Sequence, residues 1–231
     1  MNKTHIISAL VLVFSISLPL TLRAQRHYEP HFAVGAKGGV TFSQMAFTPG
    51  IEQKLVQGMT GGVAVRYTEE NFFGLIGEIN VEQRGWSENF EETDFKYSRK
   101  LTYVQIPLLT HIYFGSERVK GFVNLGPSVG FMIADNISSN FNYRDPASVE
   151  GFPITNRHVN QMKMEVKNKV DYGITAGLGM EVKVGRRNSI LLEERYYYGL
   201  GNIYPSSKSD EFSASRGTSI VVTLGYYFHI K

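Results

Sequence analysis

Val170-Asp171-Tyr172-Gly173-Ile174-Thr175-Ala176-Gly177-Leu178-Gly179-Met180-Glu181-Val182-Lys183-Val184 alternates without a break. Its even positions are apolar throughout, and its odd positions are small, polar or charged. Side chains alternate across a strand, so such a segment presents oil on one side and water on the other. It is also long enough for the roughly 9–11 residues with which a tilted strand crosses a bilayer. The pattern therefore points to a strand of a membrane barrel.

The same alternation recurs along the chain and predicts eight strands. They run His31–Ser43, Gly58–Tyr67, Phe72–Trp86, Leu101–Phe114, Lys120–Ile133, Val170–Val184, Ser189–Gly201 and Gly217–Ile230. The connections between them alternate in length. Those after the first, third, fifth and seventh strands are long, and the rest are tight turns such as 68–71, 115–118 and 185–188. Long outer loops and short periplasmic turns are how outer-membrane barrels are built. An even strand count brings both termini to the same side. A soluble eight-stranded barrel would alternate too, but with its apolar face inward. The opposite face is the discriminator: Glu78, Glu82, Arg84, Asp171, Glu181, Lys183, Glu193 and Arg195 alternate with the apolar positions, amid glycines, a set that a side exposed to solvent would also take. A narrow lumen with interlocked charges accommodates that set. The expected fold is all-β, an eight-stranded antiparallel up-and-down transmembrane barrel.

The N-terminus reads as a cleaved signal peptide over residues 1–24. Lys3 precedes an apolar run from Ile6 to Leu20, and Leu22-Arg23-Ala24 supplies the cleavage site, leaving residues 25–231 as the barrel domain. There is no cysteine, which excludes disulfides, thiolate metal sites, cysteine nucleophiles and a lipoprotein anchor. Removing Lys3 and Arg23 with the leader leaves 22 basic against 21 acidic residues, a balance that does not suit nucleic acid. Aromatics at 13% and 23 glycines match a barrel with aromatic girdles. Tyr28, Trp86, Tyr196, Tyr198 and Tyr226 are the expected girdle residues.

Tyr103-Val104-Gln105-Ile106-Pro107-Leu108-Leu109 resembles the Y-x-[EQ]-[IV]-P-L-L signature of the PorT-like outer-membrane β-barrel family. Gly126-Pro127 is similar to that family's G-P dipeptide, and Glu193 to Leu200 to its E-x-R-Y-x-x-G-L segment, which includes Gly199. The opening Gly35-x-Lys37-Gly38-Gly39 resembles the family's start. The resemblance implies a small outer-membrane barrel of Gram-negative bacteria. Its founding member belongs to a protein-secretion apparatus, which makes an accessory role in secretion a second reading. The chain departs from the pattern at its end, His229-Ile230-Lys231, where Phe228 takes the place of a terminal aromatic. It departs again at Glu194, a charge on the lipid-facing side that implies either a place near the rim or a bulge.

Pro107 and Pro127 fall inside strands and are expected to mark bulges or kinks. Gly38-Gly39 and Gly61-Gly62 lack a following G-K-[ST] and suit tight curvature rather than phosphate binding. His111, His158 and His229 offer bases for a rim hydrolase of lipids, but no G-x-S-x-G elbow is present and no serine obviously pairs with them. The 134–168 connection carries Arg144, Arg157, His158, Lys163 and Lys167 and reads as a solvated loop. The sequence thus predicts a non-enzymatic barrel without cofactor or metal. Its partners would be outer-membrane lipid and lipopolysaccharide, with proteins met through the outer loops or a secretion complex.

Overall fold

A computed structural model describes residues 30–69, 72–90, 93–153 and 158–230. The proposed leader, Tyr28, Asn71, Arg157 and Lys231 lie outside the described residues. The strands are β1 (His31–Thr48), β2 (Gln53–Lys54), β3 (Val56–Thr68), β4 (Phe73–Glu88) and β5 (Tyr97–Gly115). They continue as β6 (Val119–Ser139), β7 (Val170–Val184), β8 (Asn188–Gly199) and β9 (Ala214–His229). Pairing is antiparallel throughout. The eight long strands follow one another in chain order, and β1 closes onto both β3 and β9. The two-residue β2 adds only to the loop end of β4.

Closure turns the apolar face outward. Ile106, Val123, Ile174 and Leu178 are 44%, 46%, 48% and 63% exposed, while Asp171 and Glu181 are buried. Ring closure also brings backbones close on the inner side. A Cβ at Gly39 would run into the Val222 carbonyl, and one at Gly62 into Ile79 and Asn80. Glycine at these places is therefore a matter of space between neighbouring strands.

The strands overrun the sequence-predicted boundaries at the long-loop end. There β1 continues to Thr48, β5 starts at Tyr97, β6 runs to Ser139 and β9 starts at Ala214. The reason is an inversion of polarity. Below, β1 points Thr41 and Ser43 inward. Two residues higher it points Met45 and Phe47 inward and the polar Gln44 and Thr48 outward. The lower part is oily outside, as lipid demands; the upper part is oily inside, as in a water-soluble barrel.

Neither proline marks a bulge. Register is unchanged across Pro107 and Pro127. Rungs drop out instead, at Glu78–Ile79 against Ile106–Pro107 and at Leu108–Leu109 against Gly126–Pro127. A missing N–H deletes a ladder bond without inserting a residue. The bulge lies at Thr102/Tyr103 opposite β6, where Thr102 pairs with Ala134 and Tyr103 with Met132, leaving Ile133 extra. The extra residue reverses the phase of β6 and points Asp135 and Ile137 inward above it.

The polarity boundary is testable with two arginines. Leu125→Arg, in the apolar belt, is expected to weaken folding into lipid vesicles by about 2–4 kcal/mol. Gln44→Arg, above the inversion, should cost less than about 1 kcal/mol in the same titration.

Candidate functional site

The lumen follows from the inner-face residues taken strand by strand. Because Tyr103, Gln105 and Pro107 are spaced by two, all three face inward, and the family-like motif is a strip of lumen wall. Pro127, by contrast, lies on the outer surface. Gly126 lets β5 approach, since a Cβ there would strike the Leu108 carbonyl, and Gly199 lies close to Gly217 and the Asp171 carboxylate.

Charges pair across the barrel in three tiers. At mid-height the Arg195 guanidinium donates two parallel bonds of 2.7 Å to Glu78, which also meets Lys37 Nζ at 2.6 Å and Asn80 Nδ2 at 2.8 Å. Arg195 Nε lies 2.7 Å from Glu193, whose carboxylate accepts from Asn124. Asn124 Oδ1 in turn faces His111 Nδ1 at 2.7 Å. Nearer the short turns, Arg66 grips Glu181 with both terminal nitrogens and lies over the Tyr227 ring at 4.4 Å. Nearer the loops, Arg84 is held between the rings of Tyr103 and Tyr197, at 4.2 and 4.3 Å, and meets Asp171 at 3.1 Å. Glu82 accepts from Ser219 beside it. Burying these charges is sustainable only because each has an opposite partner.

Lys183 is the exception among the predicted lumen charges. It is exposed at the short-turn rim, because the last residues of β7 have already left the enclosed part of the barrel. Glu194 also differs from expectation. It points outward in the middle of β8, in unbroken register with Leu178 and Val222, so neither a rim position nor a bulge accounts for it.

Above Arg84 the lumen is closed by a second, apolar layer. Met45, Phe47, Trp86, Tyr97, Leu101 and Tyr103 from the walls pack with Phe90, Met162, Val166, Ile203, Tyr204 and Phe212 from the loops. Trp86 is therefore 0% exposed inside this cap and forms no part of a girdle. Tyr196, Tyr198 and Tyr226 do face outward. The 140–169 connection is likewise no merely solvated loop. Its helical turn, Asn160–Lys163, is drawn into the cap.

Polar bonds fasten that turn. Tyr97 OH donates to the Met162 carbonyl at 2.9 Å, Tyr204 OH to the Gln161 carbonyl at 2.8 Å, and Arg99 to the Met164 carbonyl at 2.7 Å. Arg99 also clamps Asp135 through two nitrogens, the use to which the β6 bulge puts that residue. Burial pushes the Tyr204 phenol up, which keeps it a proton donor. Sequence reasoning missed Arg99 and the cap. The available signal was the run of Phe90, Phe95, Phe141, Tyr143, Phe152 and Met162 inside segments taken as polar.

The structure does pair one serine with a histidine: Ser189 Oγ and His229 Nε2 are 2.5 Å apart. Glu181 approaches the same Nε2, at 3.5 Å, whereas a hydrolytic triad needs its acid on the other ring nitrogen. Ser189 is fully buried. His111 faces the lumen and His158 lies exposed in the loop. Among the described residues no group of three or more His, Asp or Glu converges as a metal site. A cavity of about 20 Å³ beside Lys37, Asn80, Gln105 and Thr223 has room for one water.

Removing one member of the mid-height lattice should be costly. Arg195→Met is expected to lower stability by about 3–5 kcal/mol in urea titrations of the vesicle-inserted protein. Adding Glu193→Gln should recover part of that loss, since without Arg195 that carboxylate keeps only Lys37, at 3.8 Å, as a cation.

Solved structures of similar fold include the outer membrane protein OprG from Pseudomonas aeruginosa (10% identity, 89% of this chain and 98% of that one, TM-score 0.53). Others are the Neisserial surface protein A (11%, 85% and 96%, TM-score 0.46) and the E. coli outer membrane protein W (14%, 88% and 100%, TM-score 0.45). No curated protein matches the sequence. The family model for the outer membrane protein beta-barrel domain matches residues 23–204, and with its ring of strands oily outside and charged within, the chain belongs to that family of the cell outer membrane.

Proposed function

We propose that this protein is a sealed, non-enzymatic scaffold of the outer membrane whose long loops form a binding surface on the outer side. The observation that carries this reading is the double closure of the lumen. The charge lattice fills the membrane-level interior, and the apolar cap fills the interior above it. An eight-stranded barrel has room inside for side chains and little more. The loops that build the cap also hold their outer residues in place, because Met162 and Val166 are buried while Lys163 and Lys167 are exposed. An exposed loop surface of mixed charge, anchored by the buried Met162 and Val166, suits recognition of lipopolysaccharide or of a protein partner.

Residues 1–24 act as the export signal in this reading, and residues 25–231 form the mature domain. The Tyr103–Pro107 strip, Gly126-Pro127 and Gly199 support a PorT-like affiliation within the wider family. An accessory role in secretion has no side-chain arrangement in its favour among the described residues. A lipid hydrolase would need Ser189 uncovered.

Two measurements test the proposal. Purified protein in a planar bilayer is expected to give no conductance steps; discrete steps from the unaltered barrel would refute the sealed lumen. A photo-crosslinking side chain at Lys163 or Lys167 is expected to capture a partner on intact cells, and one at Glu117 in a short turn should not. Capture from Glu117 alone would move the binding surface to the other end.

A further inference from the structure

The nearly balanced charge of residues 25–231 conceals a local excess at the short-turn end. The turns 116–118 and 185–187 belong to neighbouring hairpins, joined where the Lys183 N–H donates to the Arg118 carbonyl at 2.9 Å. The Arg187 carbonyl accepts from His229, which carries the arc on to β9. Along this arc Arg118, Lys183, Arg186 and Arg187 are exposed, with Glu117 as the one acid in the two turns. Glu181, the nearest lumen carboxylate, has both oxygens engaged by Arg66 and cannot neutralise them. The excess is one-sided, because the remaining short connection, between β3 and β4, contributes the acidic Glu69.

The arc lies at a definite depth. Its cations directly adjoin outward apolar side chains at the lower edge of the belt: Phe114, Val119, Val184 and Ile190 are all exposed. Cations immediately beside a hydrocarbon belt lie at the level of lipid phosphates, where long basic side chains reach the headgroups. We propose that the arc formed by Arg118, Lys183, Arg186 and Arg187 is a binding site for the phosphate headgroup of an anionic phospholipid in the periplasm-facing leaflet. Acyl chains of that lipid would lie along Val119, Val184 and Ile190. Position favours a lipid over a soluble anion, since the cations ring an apolar surface rather than an aqueous pocket. The site is independent of the loops and of what they bind.

The test uses the purified barrel in detergent, titrated with phosphatidylglycerol or with phosphatidylcholine and read by native mass spectrometry. Phosphatidylglycerol should remain bound where phosphatidylcholine does not. Arg118→Gln/Arg186→Gln/Arg187→Gln should weaken its retention at least about tenfold. Arg118→Lys/Arg186→Lys/Arg187→Lys and the loop variant Lys163→Gln/Lys167→Gln should retain it. Heat-modifiable gel migration reports whether each variant has folded, and Arg186→Gln alone provides a milder version of the loss. Equal retention of the two lipids, or full retention by the glutamine variants, would overturn the proposal. Displacement of phosphatidylglycerol by millimolar inorganic phosphate would also overturn it, in favour of a soluble anion.

Discussion

An unpaired backbone N–H or C=O costs several kcal/mol in hydrocarbon, so a sheet that enters a bilayer has to close on itself. Closure of eight strands fixes everything else about this molecule. The pairing of β1 with both β3 and β9 leaves no edge. It also leaves a bore so narrow that the inner side chains must fill it. Most inner residues are buried or nearly so, and each buried charge requires a partner across the barrel. The ion pairs of Arg195 with Glu78, Arg66 with Glu181 and Arg84 with Asp171 join strands distant in sequence.

The same reasoning, applied above the bilayer, gives the opposite interior. Where the outer face meets water, no rule forces apolar residues outward, and an apolar core becomes the cheaper filling. Met45, Phe47, Trp86 and Leu101 replace the charges of the lower tiers, and the loops fold in to complete them. The bulge at Ile133 sits at this changeover. One extra residue turns Asp135 inward to meet Arg99, which holds the helical turn of the 140–169 loop through the Met164 carbonyl. A single inserted residue thus links the membrane wall to the cap.

This inversion explains what the sequence could and could not reveal. Alternation from Val170 to Val184 is read correctly because its polarity stays constant along the whole strand. In β1 the polarity reverses after Ser43, so the strand seems to end five residues early. Loop aromatics such as Phe90 and Phe212 carry no period, and nothing local tells that they meet one another. The inner charges were legible as a set, since spacing by two places them on one face. Their partners were not, because Arg195 and Glu78 are brought together by ring closure and not by proximity along the chain. Ser189 and His229 escaped notice for the same reason: they meet only through the pairing of β8 with β9.

A lumen filled with charge rather than oil has a further physical consequence, which concerns register. A strand shifted by one residue sends its inner set to the outer face. Were both faces apolar, such a slip would change little, and the chain would have many near-equivalent barrels to choose from. With the lattice in place, slipping β4 alone would turn Glu78, Glu82 and Arg84 toward lipid. Basic groups at the bilayer midplane cost about 2–4 kcal/mol each, and acids somewhat less. The slip would also take from Arg195, Lys37 and Asp171 their partners on β4. Buried ion pairs add little net stability compared with an apolar filling of the same volume. Their effect here is on the alternatives: every misregistered barrel is penalised several times over, while the correct one incurs only the desolvation that its own pairing offsets.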